Sequence, residues 1–192
     1  MSPVVFLAPV IVLLGPPGAG KSTQAEKLAK AHGWPTISAG DLLRAEAARD
    51  TPLGQRLKAT MAQGELVDDD TVNRLVGERM SQPDCKNGFL LDGYPRALAQ
   101  ARHLDELLAA RGQTATILHI DVPDEVLVVR LSGRRRSDDS PEVVRRRLSV
   151  YRAETQPIVD FYRSRPGYHL IRGDRSRAAV FDAIELALRF AQ

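Results

Sequence analysis

Val10-Ile-Val-Leu-Leu14-Gly15-Pro-Pro-Gly-Ala-Gly20-Lys21-Ser22-Thr23 is the stretch on which the fold turns. The apolar run Val10–Leu14 reads as a strand buried on both faces, and Ala25, Leu28 and Ala29 mark the inward face of a helix that follows. Between them, Gly15 to Ser22 fits the pattern G-x-x-x-x-G-K-S/T, the P-loop. Glycines there let backbone N–H groups converge on phosphate oxygens, and the helix N-terminus adds positive potential. Lys21 brings a charge to the β- and γ-phosphates, and a hydroxyl can meet Mg²⁺. A glycine turn beside a stray lysine would need neither the strand before it nor the helix after it.

Outward from this unit, short apolar runs alternate with helical patterns. Further strands are predicted at Thr36–Ser38, Phe89–Asp92, Thr116–Asp121 and Tyr168–Ile171. Leu98, Ala101, Leu104, Leu107 and Leu108 share one helix face, with Gly112 placed to end that helix. Val144, Leu148, Tyr151, Ile158 and Tyr162 form a long stripe that Pro157 should kink. Val180, Phe181, Ile184 and Leu188 mark a last helix. This alternation predicts a three-layer α/β domain around a five-stranded parallel sheet. Two segments break it. Residues 41–80 read as successive helices without a strand, an insertion able to form a flap. Residues 133–140 form a short charged loop, with Ser140 and Pro141 suited to cap and open the next helix.

Composition bounds the partners. At 192 residues the chain supports one sizeable core, and 43% hydrophobic with 27% charged residues is ordinary for a folded domain. The 22 Arg and 5 Lys against 24 acidic residues leave only +3, too little for a nucleic-acid coat. The lone Cys85 excludes a disulfide scaffold or a cysteine-built zinc site, and it fits a reducing cytosol. Val4–Leu14 is apolar but lacks a basic flank, contains Pro9, and falls short of the roughly 20 residues needed to cross a bilayer. Residues 1–9 therefore read as an extension before the first strand, and the expected compartment is the cytoplasm. His32, His103, His119 and His169 are scattered without pattern and read as structural.

A second motif narrows the chemistry. Gly88-Phe-Leu-Leu-Asp92-Gly93-Tyr94-Pro95-Arg96 is a buried strand ending in a carboxylate, then a turn, then an arginine. Beside the P-loop strand, Asp92 would stand where a carboxylate holds water on Mg²⁺. A strand-end Asp can also be no more than a turn cap.

With GPPGAGKSTQ at 15–24, SAGDLLR at 38–44, GELV at 64–67, GFLLDGYPR at 88–96, Gln100, RLSGRRRSDD at 130–139 and RRRLSVYRAET at 145–155, the chain resembles the nucleoside monophosphate kinases, most closely the adenylate kinases. The match follows the family's order and spacing over nearly the whole chain. The resemblance implies a P-loop NTPase fold with a core at 1–37, 68–132 and 140–192, an acceptor flap at 38–67 and a short lid at 133–139. It implies ATP and AMP as substrates, Mg²⁺ but no zinc, a monomer, and neither nucleic acid nor membrane as partner. Gly18, Ala19, Gly20, Lys21, Ser22 and Thr23 would wrap the ATP phosphates, with Arg130, Arg134 and Arg175 on the same side. Arg44 and Arg96 would clamp the AMP phosphate. Ala39, Glu65, Leu66, Val67, Gly93, Tyr94 and Pro95 would line the acceptor site, and Gln100 would read adenine. Arg136 and Arg147 would close on the transferring phosphate, beside Lys21 and Arg96.

Two departures from the family pattern leave alternatives open. Ser22 replaces the usual Gly and is followed by Thr23, so either hydroxyl could meet Mg²⁺, together with Asp92 through water. Ala39 replaces the Thr usual in adenylate members and resembles the UMP/CMP kinases, whereas Gln100 resembles the adenylate ones, so dual AMP/CMP use is a second reading. A kinase for a non-nucleotide metabolite would lack the acceptor motif running to Gln100. A basic nucleic-acid binder would use Arg134–Arg136 and Arg145–Arg147 as a patch, but aromatics are only 5% and no stacking module is present. Arg145 and Arg146 read as a solvated helix face.

Overall fold

The structure, a computed structural model, describes residues 8–132 and 141–190. Five parallel strands, β1 (Val10–Leu14), β2 (Thr36–Ser38), β3 (Phe89–Asp92), β4 (Ala115–Asp121) and β5 (Tyr168–Arg172), form one sheet in the order β2-β3-β1-β4-β5. The strand ends differ from expectation only by Ala115 and Arg172, each paired at the margin of the ladder.

Because side chains alternate across a strand, β1 feeds two separate cores. Val10, Val12 and Leu14 join Phe89, Leu91, Leu104, Ile158 and Tyr162 on one face. Ile11 and Leu13 join Leu28, Leu90, Leu118, Val180 and Ile184 on the other. Helices α1 (Lys21–His32), α6 (Asp124–Ser132) and α9 (Arg177–Phe190) supply the second face. Helices α4 (Asp69–Met80), α5 (Leu98–Ala109) and α8 (Gln156–Arg163) supply the first. The three-layer reading is thus observed.

The helical insertion is α2 (Ala39–Ala47) and α3 (Pro52–Ala62), followed by α4. Each of the three starts on a side-chain cap. Ser38 Oγ accepts from Asp41 N at 3.2 Å, Thr51 Oγ1 from Gly54 N at 3.0 Å, and Asp68 Oδ1 from Thr71 N at 2.9 Å. Leu43 and Leu57 of the insertion are buried in the same cluster as Val67 and Val72, which ties the insertion to the sheet face beneath it.

Two helix ends depart from the sequence reading. Helix α5 stops at Ala109, and Gly112 follows in the turn with φ +66° rather than closing the helix itself. The stripe expected to kink at Pro157 is α7 (Pro141–Val150), a π-turn over Tyr151–Thr155, and α8. Proline lacks an N–H and crowds the carbonyl four residues back, and the wider turn accommodates this, with Gln156 N donating to Tyr151 O. Pro141 opens α7 as expected; Ser140 lies outside the described residues.

At the end of β1, Gly15 adopts φ +141°, and a Cβ there would stand 2.4 Å from the backbone oxygen of Ile120. No flexible side chain can yield. Gly15→Ala is therefore expected to cost about 2–4 kcal/mol, as strained backbone substitutions do. Urea denaturation checks this, and a loss under about 0.5 kcal/mol would show that the loop relocates freely.

Candidate active site

The carboxyl ends of β2, β3 and β1 lie side by side, with Ser38 and Leu13 flanking Asp92 in register. The chain crosses from one side of β1 to the other between β3 and β4, and such a switch point opens a crevice above the strand ends. Here the crevice is a cleft of about 780 Å³.

Helix α1 begins in its floor. Gly20 precedes it at φ +96°, and α1 has neither a side-chain cap nor an acidic residue in its first turn, unlike α2 and α4. Its first amides and its dipole therefore stay available to an anion. Lys21 Nζ donates to Gly15 O at 2.7 Å and Pro16 O at 2.9 Å, which holds the amine against the loop. Burial pushes this amine down to about 8, opposed by Asp92 and reinforced by Arg96.

Ser22 Oγ donates to Asp92 Oδ2 at 2.6 Å, and Asp92 is only 6% exposed. The structure thus brings Ser22, rather than Thr23, to the strand-end carboxylate. An all-oxygen pair of this kind suits a hard cation such as Mg²⁺, which keeps several of its own waters.

On the β2–β3 side, Arg44, Arg96 and Arg147 line the same cleft. Desolvation by the surrounding cleft and the neighbouring Arg147 and Arg44 hold the Arg96 guanidinium below its ordinary value, against the pull of Asp92. Arg96 is anchored at three points. Its Nε donates to Gly93 O at 2.9 Å, its backbone N to Gln100 Oε1 at 2.8 Å, and its carbonyl accepts from Thr155 Oγ1 at 2.9 Å. The Tyr94–Pro95 peptide bond in this loop is cis. Arg44 pairs with Asp41 at 2.5 Å on its own helix. Ala39, Leu66, Val67 and Gln100 line this end. On the opposite side, Arg130 Nη2 donates to Gly173 O at 2.8 Å, near Arg175.

Most of the expected residues therefore meet in one cleft, but not all. Tyr94 points away from it: the ring is fully buried, and its hydroxyl donates to Asn73 Oδ1 at 2.7 Å because a buried phenol needs a partner. Arg134, Arg136 and the expected lid lie outside the described residues. Glu65 lines the cleft yet pairs at 3.1 Å with Arg146, so Arg146 reaches the segment between α3 and α4 instead of standing merely solvated. Arg145 pairs with Glu142 of its own helix.

Sequence reasoning passed over Thr155, Gln24 and Asp69. Gln24 Nε2 donates to Arg177 O at 3.0 Å, joining α1 to the start of α9, and Asp69 accepts from Gln100. Thr155 and Gln24 sat inside quoted motifs, whereas Asp69 carried no signal beyond being acidic at a helix start. None of the histidines lines the cleft. His119 Nδ1 lies 2.8 Å from Tyr168 OH, with burial lowering its pKa, and His32 stacks on Trp34.

A parallel sheet whose central strand feeds a glycine-rich loop and an uncapped helix is the arrangement of the P-loop NTPase fold, and the chain falls in that class. Comparison with known proteins goes further: the family model for adenylate kinase matches residues 13–166. The chain is 45% identical to adenylate kinase 1 of Nostoc sp., covering 93% of this chain and 97% of that one. It is 50% identical to an adenylate kinase of Mycolicibacterium smegmatis over 80% of this chain and 85% of the relative. With an adenylate kinase of Xanthomonas euvesicatoria the identity is 47%, over 93% and 98%. The chain belongs to the adenylate kinase family.

The lowered Lys21 pKa sets a pH dependence. Above about 8 the free protein loses this charge, so a polyphosphate that binds the ammonium must restore the proton. Affinity for ATP is expected to fall between pH 7.5 and 9, with proton uptake on binding visible by calorimetry in buffers of different ionisation enthalpy. Lys21→Met should abolish that uptake. The folded pKa lies below the unfolded one, so between about 8 and 10.5 the folded state holds fewer protons and this lysine's contribution to stability rises with pH.

Proposed function

We propose that the chain catalyses reversible transfer of the terminal phosphoryl group of ATP to AMP, giving two ADP, and so balances the adenine nucleotides. The observation that carries this reading is one cleft with cations from both sides: Lys21 from the phosphate loop and Arg96 from the acceptor side both act on Asp92, and Arg147 stands beside Arg96.

The AMP phosphate has a second pKa near 6, so at neutral pH its oxygen is already an anionic nucleophile and needs no general base. What the reaction needs is two repelling anions held in line and a spread of charge over the transferred group. The amides of Gly18–Thr23 hold the donor phosphates, with Lys21 beside them. Arg130 and Arg175 border the ATP side, Arg130 by bridging to the Gly173 turn. Arg134 belongs with these on the ATP side; Arg44 and Arg96 hold the acceptor phosphate, and Arg147, with Arg136, steadies the phosphoryl group in transfer. Ala39, Leu66 and Val67 pack the acceptor nucleoside, and Gln100 reads its base. Ser22 and Asp92 would hold Mg²⁺, which supplies charge neutralisation on the β- and γ-phosphates.

Residues 38–67 and 133–139 act in this reading as flap and lid over the core, closing to exclude water. The proposal takes the enzyme to be a monomer acting on two small molecules. No helix among the described residues is long and apolar enough to cross a membrane. The proposal places the reaction in the cytoplasm.

The test is ADP formation from ATP with AMP, CMP, UMP or GMP. AMP is expected first and CMP second, because cytosine shows the same acceptor-and-amino edge on a smaller ring and Ala39 leaves room beside it. Preference for UMP, or no product from AMP, overturns the reading. Lys21→Met should fold normally by circular dichroism yet lose about 10²–10³ in kcat, the scale of a preorganised donor. Wild-type turnover in that variant removes Lys21 from the mechanism.

A further inference from the structure

Gln100 is only 1% exposed, and its carboxamide is held at both ends. Nε2 donates to Asp69 Oδ1 at 2.7 Å, and Oε1 accepts from the Arg96 backbone N–H at 2.8 Å. A side-chain amide can be turned by 180° with little change of shape, exchanging donor for acceptor. Here the partners leave no choice. A carboxylate accepts and does not donate, and a backbone N–H donates and does not accept. Asp69 therefore demands the nitrogen and Arg96 the oxygen, and both select the same orientation.

One N–H and one lone pair of the carboxamide remain for the cleft that Gln100 lines. Their order is set by the same two bonds. Adenine and cytosine offer a ring-nitrogen acceptor beside an amino donor, whereas guanine, hypoxanthine and uracil offer a ring N–H beside a carbonyl. The flipped amide would suit the second group.

Asp69 stands in the first turn of α4, Gln100 in that of α5, and Arg96 in the loop after β3. The lock therefore spans three elements. It is tightened by Tyr94, whose hydroxyl lies between Asn73 of α4 and the Gln100 carbonyl, 3.3 Å from the latter.

We propose that Asp69 is a specificity-determining positioning residue, which locks the Gln100 carboxamide so that the acceptor pocket takes amino-bearing bases and rejects oxo-bearing ones. This rests on the assignment of Gln100 as base reader. Asp69 itself touches no substrate; it acts through Gln100.

The experiment compares kcat/KM for AMP, GMP and IMP in the wild type, Asp69→Ala, Asp69→Asn, Asp70→Ala and Gln100→Leu. Losing one of two locking bonds is expected to raise the KM for AMP about tenfold in Asp69→Ala, more than it lowers kcat, and to shrink the AMP-to-IMP and AMP-to-GMP ratios about tenfold. The KM for ATP should move less than about twofold. Asp69→Asn should return the ratios to within about threefold of wild type, because its Oδ1 can accept the same bond while Arg96 still orients the amide. Asp70→Ala, in the same helical turn, controls for lost charge at the start of α4 and should leave the ratios alone. A uniform fall for every acceptor in Asp69→Ala, or an Asn variant no better than Ala, overturns the lock. If Gln100→Leu changes the ratios and Asp69→Ala does not, the lock fails while the base-reading role stands. If Gln100→Leu changes nothing, the base-reading role itself fails. Should Asp69→Ala not fold, exchange of the Gln100 side-chain amide protons decides: protection of one in the wild type and in Asp69→Asn is expected, and rapid exchange of both overturns the proposal.

Discussion

Lys21 and Arg96 share one buried carboxylate, Asp92, with Arg44 and Arg147 beside Arg96 in the same cleft, and the surrounding architecture serves to hold these mutually repelling cations together. Desolvation in the cleft and like charge lower the pKa of Lys21 and Arg96, and Asp92 is the group that opposes this in both cases. Concentrated positive charge of this kind is unfavourable for the protein alone and favourable with a polyanion in place. The sheet makes the arrangement possible. Pairing β3 directly beside β1 puts Asp92 within hydrogen-bonding reach of Ser22 at the start of α1.

In the proposed reaction the loop after β3 would do for the acceptor what the glycine loop does for the donor. Arg96 faces the cleft with its guanidinium while its backbone N–H orients Gln100 and its carbonyl is held by Thr155. In the proposed reaction one residue would thus couple the grip on a phosphate to the reading of a base. The π-turn at Tyr151–Thr155 is part of this coupling. The irregularity that accommodates Pro157 also presents Thr155 to Arg96, so a local backbone constraint becomes a positioning element.

A network of polar groups, with Tyr94 and Gln100 buried and Asn73 and Asp69 half-buried, helps to organise this end of the cleft. Tyr94, Asn73, Gln100 and Asp69 form a chain of satisfied hydrogen bonds between α4, α5 and the Arg96 loop. Such a network penalises misplacement, because any partner that moves leaves another buried and unpaired. That explains how a small carboxamide can be held in one of two nearly isosteric orientations.

Much of this was legible in one dimension. Continuous apolar runs at Val10–Leu14 and Phe89–Asp92, with a glycine-rich loop after the first, determine a parallel sheet and a phosphate loop, because backbone geometry and burial act over a few neighbouring residues. The capping residues Ser38, Thr51 and Asp68 are local in the same sense. Tertiary structure alone decided that Ser22 rather than Thr23 meets Asp92, since that depends on how α1 sits against β3. It also turned Tyr94 into the core, carried Arg146 across to Glu65, and joined Asp69 to Gln100 from 31 residues away. A hydrogen bond is decided by the direction and distance of two groups in space, and no spacing along the chain encodes either.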